Sequence, residues 1–232
     1  MTQRYINNSI YGVDSFLRGD SWIFRLKIND YELVIFIWNL GLLIVPWLMS
    51  TLLRHIWRRT HFDGIPYKLL GMIVFFLWLL FIPNTAYVMT EVRHLLDYCP
   101  RDSAFQVCEQ NAWMSLFFFI YALFGWIFFV YLTDQMRSLI EDIFNHLVGA
   151  VFVAALIPSI SMALGLLFGL INRWNSWEFF IYPAEVAATI PAYFQDPVSF
   201  ANWLTFSIFL YILYFWGHWL LKDRFREKYP LR

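Results

Sequence analysis

Charge is scarce in this chain. Seventeen Lys and Arg balance seventeen Asp and Glu, so charged residues make up only 15% of the 232 and the formal net charge is zero. No run of Lys or Arg is long enough for a nucleic-acid tract, which argues against nucleic acid as a partner. Cysteine is almost absent: Cys99 and Cys108 share one polar loop, too few for a four-cysteine metal centre. The ten glycines form no phosphate-binding loop, and no serine sits in a nucleophile elbow. No charged segment followed by an apolar core opens the sequence, so the first membrane segment is expected to act as its own insertion signal. Lipidation motifs, internal repeats and Gly/Ser-rich linkers are likewise missing, and residues 1–232 read as one membrane domain.

Hydrophobic residues account for 60% of the chain and aromatics for 22%, including 25 Phe and 12 Trp. That excess is gathered in five runs, at about 33–53, 69–90, 113–133, 147–171 and 201–221. Each approaches the roughly 20 helical residues that cross about 30 Å of hydrocarbon. The fold class expected is therefore all-α, a polytopic integral membrane protein with about five transmembrane helices. Pro46, Pro83 and Pro158 fall inside runs, where each removes a ladder bond and frees a carbonyl. Ser159 and Ser161 are placed to compensate beside Pro158. The stretch 178–200, with Pro183, Pro191 and Pro197 among aromatics and alanines, is expected to lie along the outer interface.

Orientation follows from the loops. Arg54, Arg58, Arg59 and Lys68 in the first connection lie on the same side as the basic tail 222–232 if there are five spans. The positive-inside rule makes that side cytoplasmic, giving N-out/C-in with 1–32 as an extracytoplasmic tail. The third inner connection, 134–146, has one Arg and three acids and supports this poorly. The location implied is the cytoplasmic (inner) membrane, with membrane lipids as surroundings and a second copy or a membrane-complex subunit as the candidate protein partner.

Polar chemistry is concentrated where the second run ends, in Pro83-Asn84-Thr85-Ala86-Tyr87-Val88-Met89-Thr90-Glu91-Val92-Arg93-His94. At about 100° per residue, Asn84, Tyr87, Glu91 and His94 fall in one narrow stripe. Polar groups at lipid depth are costly without partners, so this stripe should face other helices or water.

Three motifs together resemble the domain of unknown function 1361 family, an uncharacterised family of bacterial multi-pass membrane proteins. They are Ile37-Trp38-Asn39-Leu40 followed by Pro46, the string from Trp78 through Pro83-Asn84-Thr85-Ala86-Tyr87 to Thr90-Glu91 and His94-Leu95, and Arg173-Trp174-Asn175-Ser176-Trp177-Glu178. The resemblance runs from about residue 31 to the 180s and implies a fold but no activity. It marks departures as well: Glu91 and Glu178 stand where the family usually carries Asp, Ala86 replaces a second proline, and Leu167 and Leu170 stand where it tends to carry Tyr and Arg.

With the topology above, the three motifs converge toward the outer face. Glu91 and His94, spaced i, i+3, resemble helical metal motifs, and Glu178 would complete a three-ligand set for a divalent metal. Without metal, His94 is the candidate general base, oriented by Glu91 or Glu178. Arg173 would bind an anionic group such as a lipid phosphate, with Asn39, Asn84, Tyr87 and Asn175 orienting the substrate and Trp177, beside Trp174, walling the pocket. The rival reading is a packing lock in which Asn84 pairs with carbonyls freed by Pro83 and Glu91 pairs with Arg173. Three functions fit: an enzyme on a lipid-linked or envelope substrate, a transporter or ligand-binding membrane protein, and a structural subunit. Cys99 and Cys108 are expected to be able to close a short disulfide loop, or to remain a free pair.

Overall fold

The five apolar runs become long helices because nothing in them competes with helix formation, and lipid leaves the backbone few other ways to satisfy its own polar groups. The computed structural model describes residues 26–28, 31–95, 112–144, 148–172 and 174–228. Cys99, Cys108, Arg173 and the tail 1–25 therefore lie outside the described residues. A short antiparallel ribbon, β1 (Lys27–Ile28) with β2 (Tyr31–Glu32), precedes the first helix. It occupies the end of the segment 1–32 read from sequence as the N-terminal tail.

The helices are α1 (Leu33–Thr60), α2 (Ile65–Phe81), α3 (Pro83–Thr90), α4 (Trp113–Ile143), α5 (Val148–Leu167), α6 (Glu178–Ile181), α7 (Pro183–Gln195) and α8 (Pro197–Lys228). A 3-10 turn, Glu91–His94, follows α3, and a π-turn, Phe168–Asn172, follows α5. Five helical segments are long and apolar enough to cross a membrane: Leu33–Thr60, Ile65–His94, Trp113–Ile143, Ala155–Asn172 and Pro197–Leu221. The protein is an all-α polytopic membrane protein. Its outward surface is correspondingly apolar, with Ile37, Met72 and Trp219 each more than 60% exposed.

Several boundaries differ from those read off the sequence. Arg54, Arg58 and Arg59 belong to the last two turns of α1 rather than to a connection, and residues 134–143 continue α4 rather than forming a loop. Hydropathy marks where a helix leaves lipid, not where it ends. The end of α1 is set by His61 and Phe62, which adopt left-handed backbone at φ 50° and 56°, and by Gly64 at φ 86°. Helix α8 starts upstream of its apolar run because Asp196 caps it, accepting from the Ser199 amide at 2.8 Å and its hydroxyl at 2.6 Å. Those donors hold the Asp196 carboxyl below its usual range.

The core is a seam of fully buried side chains from α2, α3, α4, α5 and α8, including Trp78, Ile82, Phe129, Met136, Met162 and Tyr214. A second cluster joins Tyr31, Leu43, Val88, Met114 and Phe118 around the start of α4. Close helix approach depends on small residues. A Cβ on Gly125 would lie 2.9 Å from the Thr85 carbonyl, and one on Gly165 would lie 2.5 Å from Pro83 Cγ.

A polar network ties the other end of the bundle. Ser50 donates to Gln135 Oε1 at 2.7 Å, Gln135 donates to the Tyr131 hydroxyl at 2.8 Å, and Arg54 donates to the Gln135 carbonyl at 2.8 Å. Asp134 is approached by Tyr214 and His218 of α8 and by Arg137 of its own helix. Helices α1, α4 and α8 therefore run in the same direction.

Candidate functional site

Proline-broken helices expose backbone that must be satisfied locally, and here the repair builds one wall of a cavity. Pro83 lacks the N–H that would bond the Leu79 carbonyl. Ser161 of α5 reaches that carbonyl instead, at 3.4 Å. Ser159, expected to serve Pro158, donates to Ala155 within its own helix at 2.9 Å. The Pro83 ring fits against Gly165, which brings α3 and α5 together. Asn84 then donates to the Phe81 carbonyl at 2.8 Å and to the Ser176 hydroxyl at 3.2 Å. The first bond caps the Phe81 carbonyl rather than the Leu79 carbonyl that Pro83 frees, and the second joins two of the sequence motifs across the cavity.

This cavity has a volume of about 700 Å³, within the range of about 300–1,000 Å³ typical of small-molecule sites. Helix α1 contributes Ile35, Trp38, Asn39 and Leu42 to its lining. The broken second span contributes Phe76, Leu79, Leu80, Asn84 and Tyr87, ending in Glu91 and His94. Opposite them stand Ser161, Leu164 and Phe168, then Trp174, Asn175 and Ser176, with Val186 and Ile190 of α7. Apolar side chains form one part, and amides, hydroxyls, a carboxylate and an imidazole form the other.

Among the described residues Glu91 is the most deeply placed charge, only 1% exposed. A buried carboxylate needs donors. Tyr31 donates to Oε2 at 3.2 Å, His94 Nε2 lies 3.8 Å from Oε2, and Arg93 Nη2 lies 4.0 Å from Oε1. Arg93 also donates to the Tyr87 hydroxyl at 2.9 Å and from Nε toward His94 Nε2 at 3.4 Å. The 3-10 winding of Glu91–His94 brings Arg93 and His94 to this carboxylate, and Tyr31 reaches it from β2.

The far wall is shaped where α5 ends. The π-turn closes with the Trp174 amide donating to the Phe168 carbonyl at 3.1 Å. Gly169 lets the Tyr87 ring approach, since a Cβ there would lie 3.2 Å from it. Tyr193 of α7 donates to Asn172, pinning the short helices to the end of α5. π-turns occur often at functional sites.

Asn39, Asn84, Tyr87, Glu91, His94 and Asn175 all line the cavity. Trp177 stands at its edge, its ring packed edge-to-face on Trp38 with centroids 5.8 Å apart. Glu178 is not part of the lining; it accepts from the Asn175 amide and, at 3.3 Å, from the Asn175 side chain, folding the turn before α6. Burial pushes the Glu178 carboxyl above its usual range, and the two Asn175 donors oppose that rise. Among the described residues no three His, Cys, Asp or Glu come together in a way that would hold a metal ion, so Glu178 does not complete a set with Glu91 and His94. Arg173 and its pairing with Glu91 lie outside the described residues.

Tyr31, Arg93 and Ser176 were not singled out from sequence, and Ser161, expected to serve Pro158, serves the break at Pro83 instead. Tyr31 and Arg93 brace Glu91, and Ser176 reaches Asn84 across the cavity. Ser176 had a signal, since it lies inside the third motif; Tyr31 had none, standing at the end of a tail of no evident pattern.

A family model described as "Protein of unknown function (DUF1361)" matches residues 38–215, a range that includes the cavity lining apart from Tyr31 and Ile35. No curated protein and no solved structure matches the chain.

Proposed function

The chain belongs to the DUF1361 family of proteins of unknown function, and we propose from its own residues that it is a membrane enzyme acting on a lipid-linked or envelope substrate. One observation supports this above the others. A buried carboxylate, Glu91, is set beside His94 on the wall of a cavity that is polar there and apolar elsewhere. An amphiphile fits such a cavity, with its chains along Leu42, Leu79, Leu80 and Leu164 and its polar group toward Asn84, Glu91, His94 and Ser176. His94 acts as general base, taking a proton from water or a substrate hydroxyl, while Glu91, 3.8 Å from its Nε2, stabilises the imidazolium by charge. Asn39, Asn84 and Asn175 orient the polar group. The charge asymmetry of the connections supports a cytoplasmic membrane with the N-terminus and cavity outside, and the family resemblance implies that this membrane is bacterial.

A second reading, a ligand carrier, draws on the breaks at Pro83 and at Phe168–Asn172, which line the same cavity as interrupted helices do in transporters. One experiment separates the two. Purified wild-type protein and His94→Gln are incubated with a total membrane lipid extract, and bound and converted species are followed by mass spectrometry. The enzyme reading expects a lipid species consumed by wild type, and bound but not consumed by His94→Gln. Binding without turnover by either protein leaves the carrier reading, and no bound lipid overturns both.

A further inference from the structure

Resting on the reading of the cavity as a site for an amphiphile, we infer that its substrate enters sideways from the bilayer, beneath residues 174–182, and keeps an acyl chain outside the cavity in a furrow between α2 and α5. The broken second span carries the first argument. Leu69, Met72, Phe76, Leu79 and Pro83 recur at three and four residues, so they form one stripe along it. Leu69, Met72 and the adjacent Ile73 are exposed, whereas Leu79, Leu80 and Pro83 line the cavity. Phe76 does both, 48% exposed at the point where one surface becomes the other. The face that this span shows to lipid is thus the face that it shows to the cavity.

Helix α5 repeats the pattern. Ser161, Leu164 and Phe168 line the cavity, and Ile157, one turn before Ser161 on the same face, is exposed. The contacts of Ser161 with the Leu79 carbonyl and of Gly165 with Pro83 set the two spans side by side and parallel. Phe76 and Ile157 therefore stand at one level, a turn below these contacts, where the cavity runs out into an apolar furrow.

Residues 174–182 roof that junction. Phe179 lines the cavity while Phe180 and Ile181 beside it are exposed. Among the described residues this segment rests on α1 and α2 through rings, Trp177 on Trp38 and Phe179 on Phe76, the latter with centroids 5.6 Å apart. Such contacts separate without breaking a backbone hydrogen bond, so the roof can lift to admit a chain.

Length fits as well. A lipid chain reaches about half of the roughly 30 Å hydrocarbon layer, which is about ten helical residues at 1.5 Å each. With its polar end at Asn84, its methyl end arrives between Ile73 and Phe76, beyond the cavity. Lipid tails are as apolar as Leu, so the furrow gains nothing from hydrophobicity alone. The polar end, held in the cavity, keeps the chain there.

The test follows the methyl end. Cells expressing the full chain are fed a fatty acid with a diazirine at that end, so that acyl lipids of every headgroup carry the probe. Protein purified in detergent is irradiated, and adducts are mapped by peptide mass spectrometry. Adducts are expected at residues 69–76 and at Ile157, about 10-fold over the exposed α8 side chains Ile212 and Trp219. Leu164→Trp, which fills the cavity, is expected to bring them down to the α8 level. Adducts confined to Leu79, Leu80 and Leu164 mean a lipid enclosed whole; they overturn the furrow and leave the cavity a lipid site. Furrow adducts undiminished in Leu164→Trp mean contact with bulk lipid alone and overturn the furrow as well. No adduct in furrow or cavity above the α8 level overturns the underlying amphiphile reading too. Should Leu164→Trp fail to fold, the wild-type ratio of furrow to α8 adducts decides alone.

Discussion

His218 Nδ1 on α8 stands 2.8 Å from Asp134 Oδ1 on α4, and the same oxygen accepts from the Tyr214 hydroxyl at 3.2 Å. One carboxylate thus gathers two side chains from the last helix and, at 3.1 Å, Arg137 from its own. Asp134 is 15% exposed and His218 22%, so these contacts are only partly screened. Asp134→Ala leaves three groups without their partner and is expected to cost about 1–3 kcal/mol of stability. His218→Ala, which leaves Asp134 its other two donors, should cost less. Chemical unfolding of both variants in the same detergent ranks them; equal losses would show that the knot does not act through Asp134.

At the cavity, the bond from Tyr31 to Glu91 separates support from chemistry. Tyr31→Phe removes one donor from a buried carboxylate and should destabilise the protein by about 1–3 kcal/mol. Glu91→Gln keeps an acceptor for Tyr31 and should change stability less, while removing the charge that holds His94 and so abolishing turnover. Melting and lipid turnover measured on both variants check the pattern. A Glu91→Gln protein with full turnover would remove Glu91 from the mechanism.

Helix contact makes a sharper case. A Cβ at Gly165 meets the rigid ring of Pro83, whereas one at Gly41 meets nothing within 4 Å. Gly165→Ala is expected to cost about 1–3 kcal/mol through overpacking, and to weaken lipid binding because Gly165 also lines the cavity. Gly41→Ala should leave stability unchanged or raised. Thermal melting of the pair checks this directly.

The pH dependence expected of Glu178 has a definite sign. Burial raises its carboxyl in the folded protein. Its favourable contribution is therefore complete below the unfolded value of about 4.3 and is lost as pH rises through the raised folded value. Glu178→Gln, which keeps an acceptor for the Asn175 amide but carries no charge, should raise the melting temperature at pH 7. That gain should vanish at pH 4. A gain of the same size at both pH values would point to packing rather than charge.

The five crossings were legible because a run of some twenty apolar residues has few other uses. The stripe from Asn84 to His94 was legible from helical spacing alone, and all four of its residues line one cavity. Helix ends were not. Arg58 and Arg137 look like loop residues to a hydropathy reading, yet long cations ride comfortably on a helix face once it has left the lipid. The partner of Asp134 was also hidden, since His218 lies 84 positions away and reads as an interfacial histidine. Nor does any local pattern announce the π-turn at Phe168–Asn172, which depends on how Tyr87 and Trp174 pack around Gly169.

Helices α1, α4 and α8 have 28, 31 and 32 residues. At 1.5 Å per residue they are about 42 to 48 Å long, well beyond the roughly 30 Å of a hydrocarbon layer. The surplus falls at the end where Arg54 and Gln135 meet and where His218 meets Asp134. That end behaves as a keel. Charged and amide groups bound to one another across three helices cannot be drawn into lipid, nor can the bundle rise without uncovering its apolar flanks. These bonded polar groups mark the end at which the three helices extend beyond the hydrocarbon, and the cavity lies toward the opposite end of the bundle.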